Sequence, residues 1–138
     1  MNASSACAIT TKRAPVPVGA YSQAVLAGEW LYCSGQIPLD PVSGTIVGDG
    51  DISAETRQVL ANLLAVLEAA GAGASQIVRT TVFLTNLTDL ALVNEIYAEV
   101  FKGCVAPARA CVQVAGLPKG AKVEIDCVAW LGANSITV

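Results

Sequence analysis

Four side chains near the C-terminal end could do chemistry together: Arg109, Cys111, Glu124 and Asp126. They sit in two short runs, Ala108 to Ala115 and Lys122 to Asp126, separated by the turn-forming stretch Gly116-Leu117-Pro118-Lys119-Gly120-Ala121. In the first run Ala110, Val112 and Val114 alternate with Arg109, Cys111 and Gln113, and in the second Val123, Ile125, Cys127 and Ala129 alternate with Lys122, Glu124, Asp126 and Val128. This period of two is the pattern of half-buried strands. Pairing the runs as a hairpin across the turn would set Gln113 opposite Glu124 and Cys111 opposite Asp126, and a one-residue slip would oppose Val114 to Glu124, so patterning favours the first register. An arginine, a thiol and two carboxylates are then expected on one sheet face.

A guanidinium there can hold a carboxylate in a bidentate fork, which an ammonium cannot do. The ordinary alternative is that Arg109 is an ion-pair partner of Glu124 or Asp126. Glu124 can orient and deprotonate a water, or serve only as that partner; Asp126 reads more simply as a solvated or paired carboxylate. Cys111 in the field of Arg109 would be biased toward thiolate. A cysteine nucleophile normally needs a base such as histidine, however, and the chain has none. Cys111 is therefore expected to line a pocket.

Composition narrows the partners. Eight basic and eleven acidic residues give a net charge of −3, and no Lys/Arg cluster occurs, which argues against nucleic acid or an anionic membrane, whose binding rests on phosphate neutralisation. The five cysteines form no Cys-x-x-Cys pair, so with no histidine a zinc site is not expected, and neither a metal nor a cofactor is implied. An odd thiol count without a recognisable secretory signal fits a reducing compartment, and a cytoplasmic location is expected, with organellar targeting left open. At 138 residues the chain suits one domain, residues 1–138, with 1–13 read as a loosely ordered leader. It is 54% hydrophobic yet has no apolar run near the roughly 20 residues of a membrane helix; apolar surface in such surplus suggests self-association.

The elements that must position these residues read in order. Ser22 to Leu26 and Trp30 to Ser34 form a hairpin about Ala27-Gly28-Glu29, and Gln36 to Gly50 is loop with a short strand at Thr45 to Val47. A first helix has Ser53 as N-cap, Glu55 in its first turn and Gly71 as its stop. Leu60, Leu63, Leu64 and Leu67 form its apolar stripe, while Arg57, Gln58, Asn62 and Glu68 mark the wet side. Ile77 to Thr85, β-branched and apolar on both faces at its middle, is a central strand. A second helix spans about Thr88 to Lys102, with Leu90, Val93, Tyr97, Val100 and Phe101 inward. The sum is an α+β two-layer sandwich: a mixed six-stranded sheet with two helices on one face.

Pro107-Ala108-Arg109-Ala110-Cys111-Val112, followed after the turn by Val123-Glu124-Ile125, closely resembles the signature of the RidA (YjgF/YER057c/UK114) family of reactive enamine/imine deaminases. Gly19-Ala20-Tyr21-Ser22-Gln23-Ala24, Ser34-Gly35-Gln36-Ile37-Pro38-Leu39-Asp40 and Val93-Asn94-Glu95-Ile96-Tyr97 resemble the same family. The likeness runs from about Ala14 to Leu131. Ala106 departs from it, standing where many relatives place an aromatic residue before the proline, so the packing beside Arg109 is expected to differ.

The resemblance implies a chorismate-mutase-like homotrimer with sites in the clefts between subunits, and the hydrolysis of 2-enamine or 2-imine acids such as 2-aminoacrylate to 2-keto acids and ammonia, protecting pyridoxal-phosphate enzymes from damage. It implies Arg109 as carboxylate clamp, Glu124 as the residue directing water, and Tyr21, Ser34, Gly35, Asn94 and Cys111 as pocket residues. The alternative is a non-catalytic small-molecule-binding or thiol-sensing protein on the same scaffold. The ribonuclease role attached to some relatives fits an acidic, histidine-free chain poorly.

Overall fold

The computed structural model describes residues 5–132. In chain order its elements are β1 (Cys7–Ile9), β2 (Ala24–Ala27), β3 (Trp30–Gln36), α1 (Ile52–Ala69), β4 (Ile77–Leu84), α2 (Leu90–Val100), β5 (Ala108–Gln113) and β6 (Val123–Trp130). The strands form one six-stranded sheet in the order β1-β2-β3-β6-β4-β5. All pairings are antiparallel except β4 with β5, which need a crossover between them, supplied by α2. The α+β architecture is the one expected.

The last strand carries the most regular pattern. Val123, Ile125, Cys127 and Ala129 are buried and alternate with half-buried Glu124, Asp126, Val128 and Trp130. The buried set packs with Val59, Leu63, Val66 and Leu67 of α1 and Val93, Ile96 and Tyr97 of α2 in one core cluster, each large side chain contributing roughly 1.5–3 kcal/mol. Among the described residues no helix covers the sheet's second face.

The expected hairpin does not form. β6 inserts between β3 and β4, and β5 runs parallel to β4 at the sheet edge. The connecting turn reverses through Lys119 and Gly120, both at positive φ (57° and 71°). Alternation fixes which residues share a face but not which strand lies alongside, and here it also misassigns the face. Arg109, Cys111 and Gln113 register with Thr80, Val82 and Leu84, all three buried on the helix side. Ala110 and Val112 therefore lie on the open face, where Val112 is 42% exposed. An edge strand reaches beyond the cover of the helices, so polar side chains on its inner face still meet water, and polarity stops marking the face.

Smaller corrections follow from side-chain bonding. The N-cap of α1 is Asp51, whose carboxylate accepts from the Ser53 N–H at 3.2 Å, two residues ahead of the serine expected there. Asn62, placed on the wet side by periodicity, is buried and donates from Nδ2 to the carbonyls of Ile37 (3.2 Å) and Leu39 (2.9 Å). Gly71 does end α1, at φ 77°. Thr88 lies in a single tight turn, Leu87–Asp89, ahead of α2. Ile46 makes only an isolated bridge to Leu39. The leader reading fails where β1 pairs with β2: the side chain of Gln23, itself buried, accepts from Thr11 N–H and donates to the carbonyls of Thr11 and Pro15, pinning that segment. Residues 1–4 lie outside the described residues.

Candidate functional site

The sequence-derived site residues fall into two groups on two faces of the sheet. Glu124 registers with Phe83 and Arg109 with Thr80; three positions apart on one strand, these point to opposite sides. The expectation of one face bearing Arg109, Cys111, Glu124 and Asp126 is therefore corrected: the structure brings Tyr21, Ser34 and Gly35 to Glu124, and Asn94 to Arg109.

The Glu124 group forms where the β3–β6 ladder shifts register between Cys33 and Gln36. At this irregularity Gly35 passes directly under the Glu124 side chain. A Cβ on Gly35 would collide with the Glu124 Oε2 and stand 2.7 Å from its Cδ, so the missing side chain makes room for the carboxylate. Ser34 is fixed by its neighbours, its Oγ donating to the Ser22 carbonyl (2.6 Å) and its N–H to the Gln23 carbonyl (3.0 Å). Tyr21, 46% exposed, accepts at its hydroxyl from the Val18 N–H (3.1 Å). With Val18, Ile37 and Pro118 these residues line an open cleft of ≈ 320 Å³. Burial raises the Glu124 carboxyl above the ordinary carboxylate range, and the charge of Asp126 on the same face adds to the rise. Asp126 itself accepts from the Thr81 N–H at 3.1 Å. A carboxylate with its proton affinity moved toward neutrality is the better general base.

The Arg109 group sits on the helix side, at the sheet edge. The guanidinium donates from Nη1 to the Asn94 Oδ1 (2.8 Å) and lies 4.9 Å from the centroid of the Tyr97 ring, a stacked placement that orients its fork. Among the described residues the two ion pairs are Arg13–Glu68 and Arg57–Glu99, so Arg109 has no carboxylate partner and the ion-pair alternative finds no support within the chain. The cleft beside it measures ≈ 450 Å³ and is lined by Asn94, Tyr97, Phe101 and the small side chains around them. Tyr97 was legible only as core. It also donates to or accepts from Thr80 Oγ1 at 2.7 Å, which turns its hydroxyl inward and its ring toward the arginine, a role that helical spacing does not signal.

Cys111 packs against the core on this same side. Burial pushes its thiol up, and the nearby Arg109 offsets that only in part, so the expected bias toward thiolate is reversed: desolvation of the charged form exceeds the pull of a solvated guanidinium. Among the described residues no group of three His, Cys, Asp or Glu could hold a metal ion, and no helix is long and apolar enough to cross a membrane.

The family profile described as Endoribonuclease L-PSP matches residues 11–131. A RutC family protein of Synechocystis is 53% identical over 123 residues, covering 89% of this chain and 95% of its own length. The 2-iminobutanoate/2-iminopropanoate deaminase of Rattus norvegicus is 48% identical over 124 residues, covering 90% and 89%. Among solved structures, the Rid family protein YyfA from Yersinia pestis superposes with a TM-score of 0.89 at 49% identity, over 91% of this chain and 99% of that one. With the profile spanning both groups of residues and the fold matched over nearly the whole chain, the protein belongs to the Endoribonuclease L-PSP family, the RidA/YjgF family.

Proposed function

We propose that the protein is a homotrimeric deaminase that hydrolyses reactive 2-enamine and 2-imine acids, such as 2-aminoacrylate, to 2-keto acids and ammonia, in sites built from the Arg109 half of one subunit and the Glu124 half of the next. The observation that carries this reading is the separation of the two halves. Each is an open cleft with one part of the required chemistry, and a sheet lies between them. The uncovered sheet face supports association: Trp30, Tyr32 and Val112 stand there 42%, 51% and 42% exposed, apolar side chains that a partner subunit would remove from water. The name of the rat relative, at 48% identity, supports the reaction.

In the reaction, Arg109 takes the substrate carboxylate in a fork, held in plane by Asn94 and the Tyr97 ring. An enamine first takes a proton from solvent at C3 to become the iminium ion. Glu124 of the partner subunit accepts a proton from water as the water oxygen bonds to C2, giving a neutral carbinolamine; that proton then goes to the nitrogen, the C–N bond breaks and ammonia leaves, and the hydroxyl gives its proton to Glu124, and from there to solvent, as the carbonyl forms. Gly35 and Ser34 border the place of the attacking water, Tyr21 covers it, and Cys111 stays a neutral wall.

The test is a coupled assay in which a dehydratase generates the enamine and keto-acid release is timed with and without the protein. Acceleration proportional to protein added is expected; release at the uncatalysed rate contradicts the reading and leaves a non-catalytic binding protein. Sedimentation at micromolar concentration should show a trimer, and a stable monomer contradicts the shared site.

A further inference from the structure

The cleft beside Arg109 is polar at one end only. Of the residues lining it, Arg109 and Asn94 form the polar end, and the rest are Tyr97, Ala98, Phe101, Ala106 and Pro107. Its floor is aromatic: Tyr97 and Phe101 lie with ring centroids 4.7 Å apart, tilted by 46°. Both are largely buried, the Tyr97 hydroxyl is engaged with Thr80 in the core and the Arg109 guanidinium lies over the Tyr97 ring, so what the two rings present to the cleft is apolar carbon rather than hydroxyl. The walls are two methyl groups and a proline ring. Ala106 lines the cleft just before Pro107, and Ala98 faces it one helical position beyond Tyr97, so among the described residues nothing bulky fills the ≈ 450 Å³ beside the guanidinium. A carboxylate and its adjacent carbon occupy only the Arg109 end of a volume within the range of small-molecule sites.

We propose that this cleft takes the side chain of the substrate, and that the protein prefers 2-imino acids with an uncharged, apolar side chain of four or more carbons, branched or aromatic, over the three- and four-carbon acids. The inference rests on the reading of Arg109 as carboxylate clamp. With the carboxylate forked on Arg109, the substituent on C2 that points away from the guanidinium lies along the apolar part of the cleft, between Phe101, Ala98, Ala106 and Pro107, where apolar carbon is removed from water. A side chain with a second carboxylate gains nothing there, since among the described residues no second cation lines the cleft, and it would have to give up its hydration.

The test measures binding, so that it reads the cleft whether or not the chemistry is imine hydrolysis. The intact protein is titrated calorimetrically with the stable keto-acid products: pyruvate, 2-oxobutanoate, 4-methyl-2-oxopentanoate, phenylpyruvate and 2-oxoglutarate. At roughly fourfold per buried methylene, 4-methyl-2-oxopentanoate is expected to bind at least about tenfold more tightly than pyruvate, with 2-oxoglutarate no tighter than 2-oxobutanoate. Ala106→Phe and, independently, Ala98→Leu should bring the ratio of 4-methyl-2-oxopentanoate to pyruvate affinity close to one by filling the cleft. A wild-type ratio near one, or a ratio that neither variant lowers, overturns the side-chain assignment. Arg109→Ala separates this from failure of the clamp: if it abolishes binding of the series while the ratio in the parent is flat, only the present inference falls. If Arg109→Ala binds all the acids as the parent does, or the parent binds none, the clamp falls and this inference with it.

Discussion

Arg109 and Glu124 flank the same strand, β4, from its two sides, yet face opposite sides of the sheet, the arginine beside buried Thr80 and the glutamate beside Phe83. Neither can serve the other as an ion-pair partner within one chain. Each is instead held by local contacts, Arg109 by Asn94 and Tyr97, Glu124 by the space over Gly35, and each faces an open cleft.

Removing the guanidinium should cost activity without costing the fold. A forked, charge-assisted contact is worth roughly 1.5–3 kcal/mol per charged hydrogen bond, so Arg109→Ala should lower kcat/KM by at least about 100-fold at tenfold per 1.36 kcal/mol. Arg109→Lys should recover part of this, keeping the charge and losing the fork. Because Arg109 is exposed and unpaired with any acid among the described residues, melting temperature and oligomeric state should stay near those of the parent; a variant that is folded, trimeric and fully active contradicts the clamp.

The pH dependence follows from the direction of the Glu124 shift. As a base it must be ionised, and burial and Asp126 raise its pKa above 4.5. Activity should therefore fall as pH drops through that raised value, with the acid limb above the ordinary carboxylate position. Replacing Asp126 by Asn removes one cause of the rise and should move the limb to lower pH, read from kcat/KM profiles. The linked stability has the opposite sense: a carboxyl whose pKa is raised on folding contributes most below its unfolded value and loses that contribution as pH rises through the folded one. Glu124→Gln should flatten this part of the stability curve in thermal melts across roughly pH 4 to 8.

Gly35 gives a test of geometry alone. Gly35→Ala puts a methyl where the Glu124 carboxylate lies, and the side chain must leave its place over β3. Turnover should drop by about tenfold or more, in keeping with the loss of a positioned base, while keto-acid affinity at the Arg109 cleft changes little. Equal loss of both would mean that the change disrupts the sheet rather than the base.

Much of the fold is legible from spacing. The leucine stripe of α1, its stop at Gly71 and the strict alternation of β6 all report burial under a continuous layer, where sequence period and geometry agree. β5 shows where that agreement ends: at the sheet edge Arg109 and Gln113 point to the helix side and still meet water, and the choice of β4 over β6 as neighbour leaves no mark on the pattern. Asn62 and Gln23 are hidden for a different reason, since their burial is compensated by hydrogen bonds to loop carbonyls distant in sequence. At the site, the grouping of Tyr21, Ser34 and Gly35 with Glu124 was carried by motif likeness, whereas the contribution of Tyr97 depends on its ring lying under a guanidinium from another element.

The shared site is tested most directly by mixing two inactive variants. Arg109→Ala and Glu124→Gln are each prepared, unfolded, combined in equal amounts and refolded together, with each variant refolded alone as control. In a cyclic trimer, a cleft that draws its arginine from one subunit and its glutamate from the next is intact in about a quarter of cases on random mixing. The mixture is expected to recover about that fraction of parental activity while both controls stay inactive; a mixture that assembles into trimers and remains as inactive as its components contradicts a site divided between subunits.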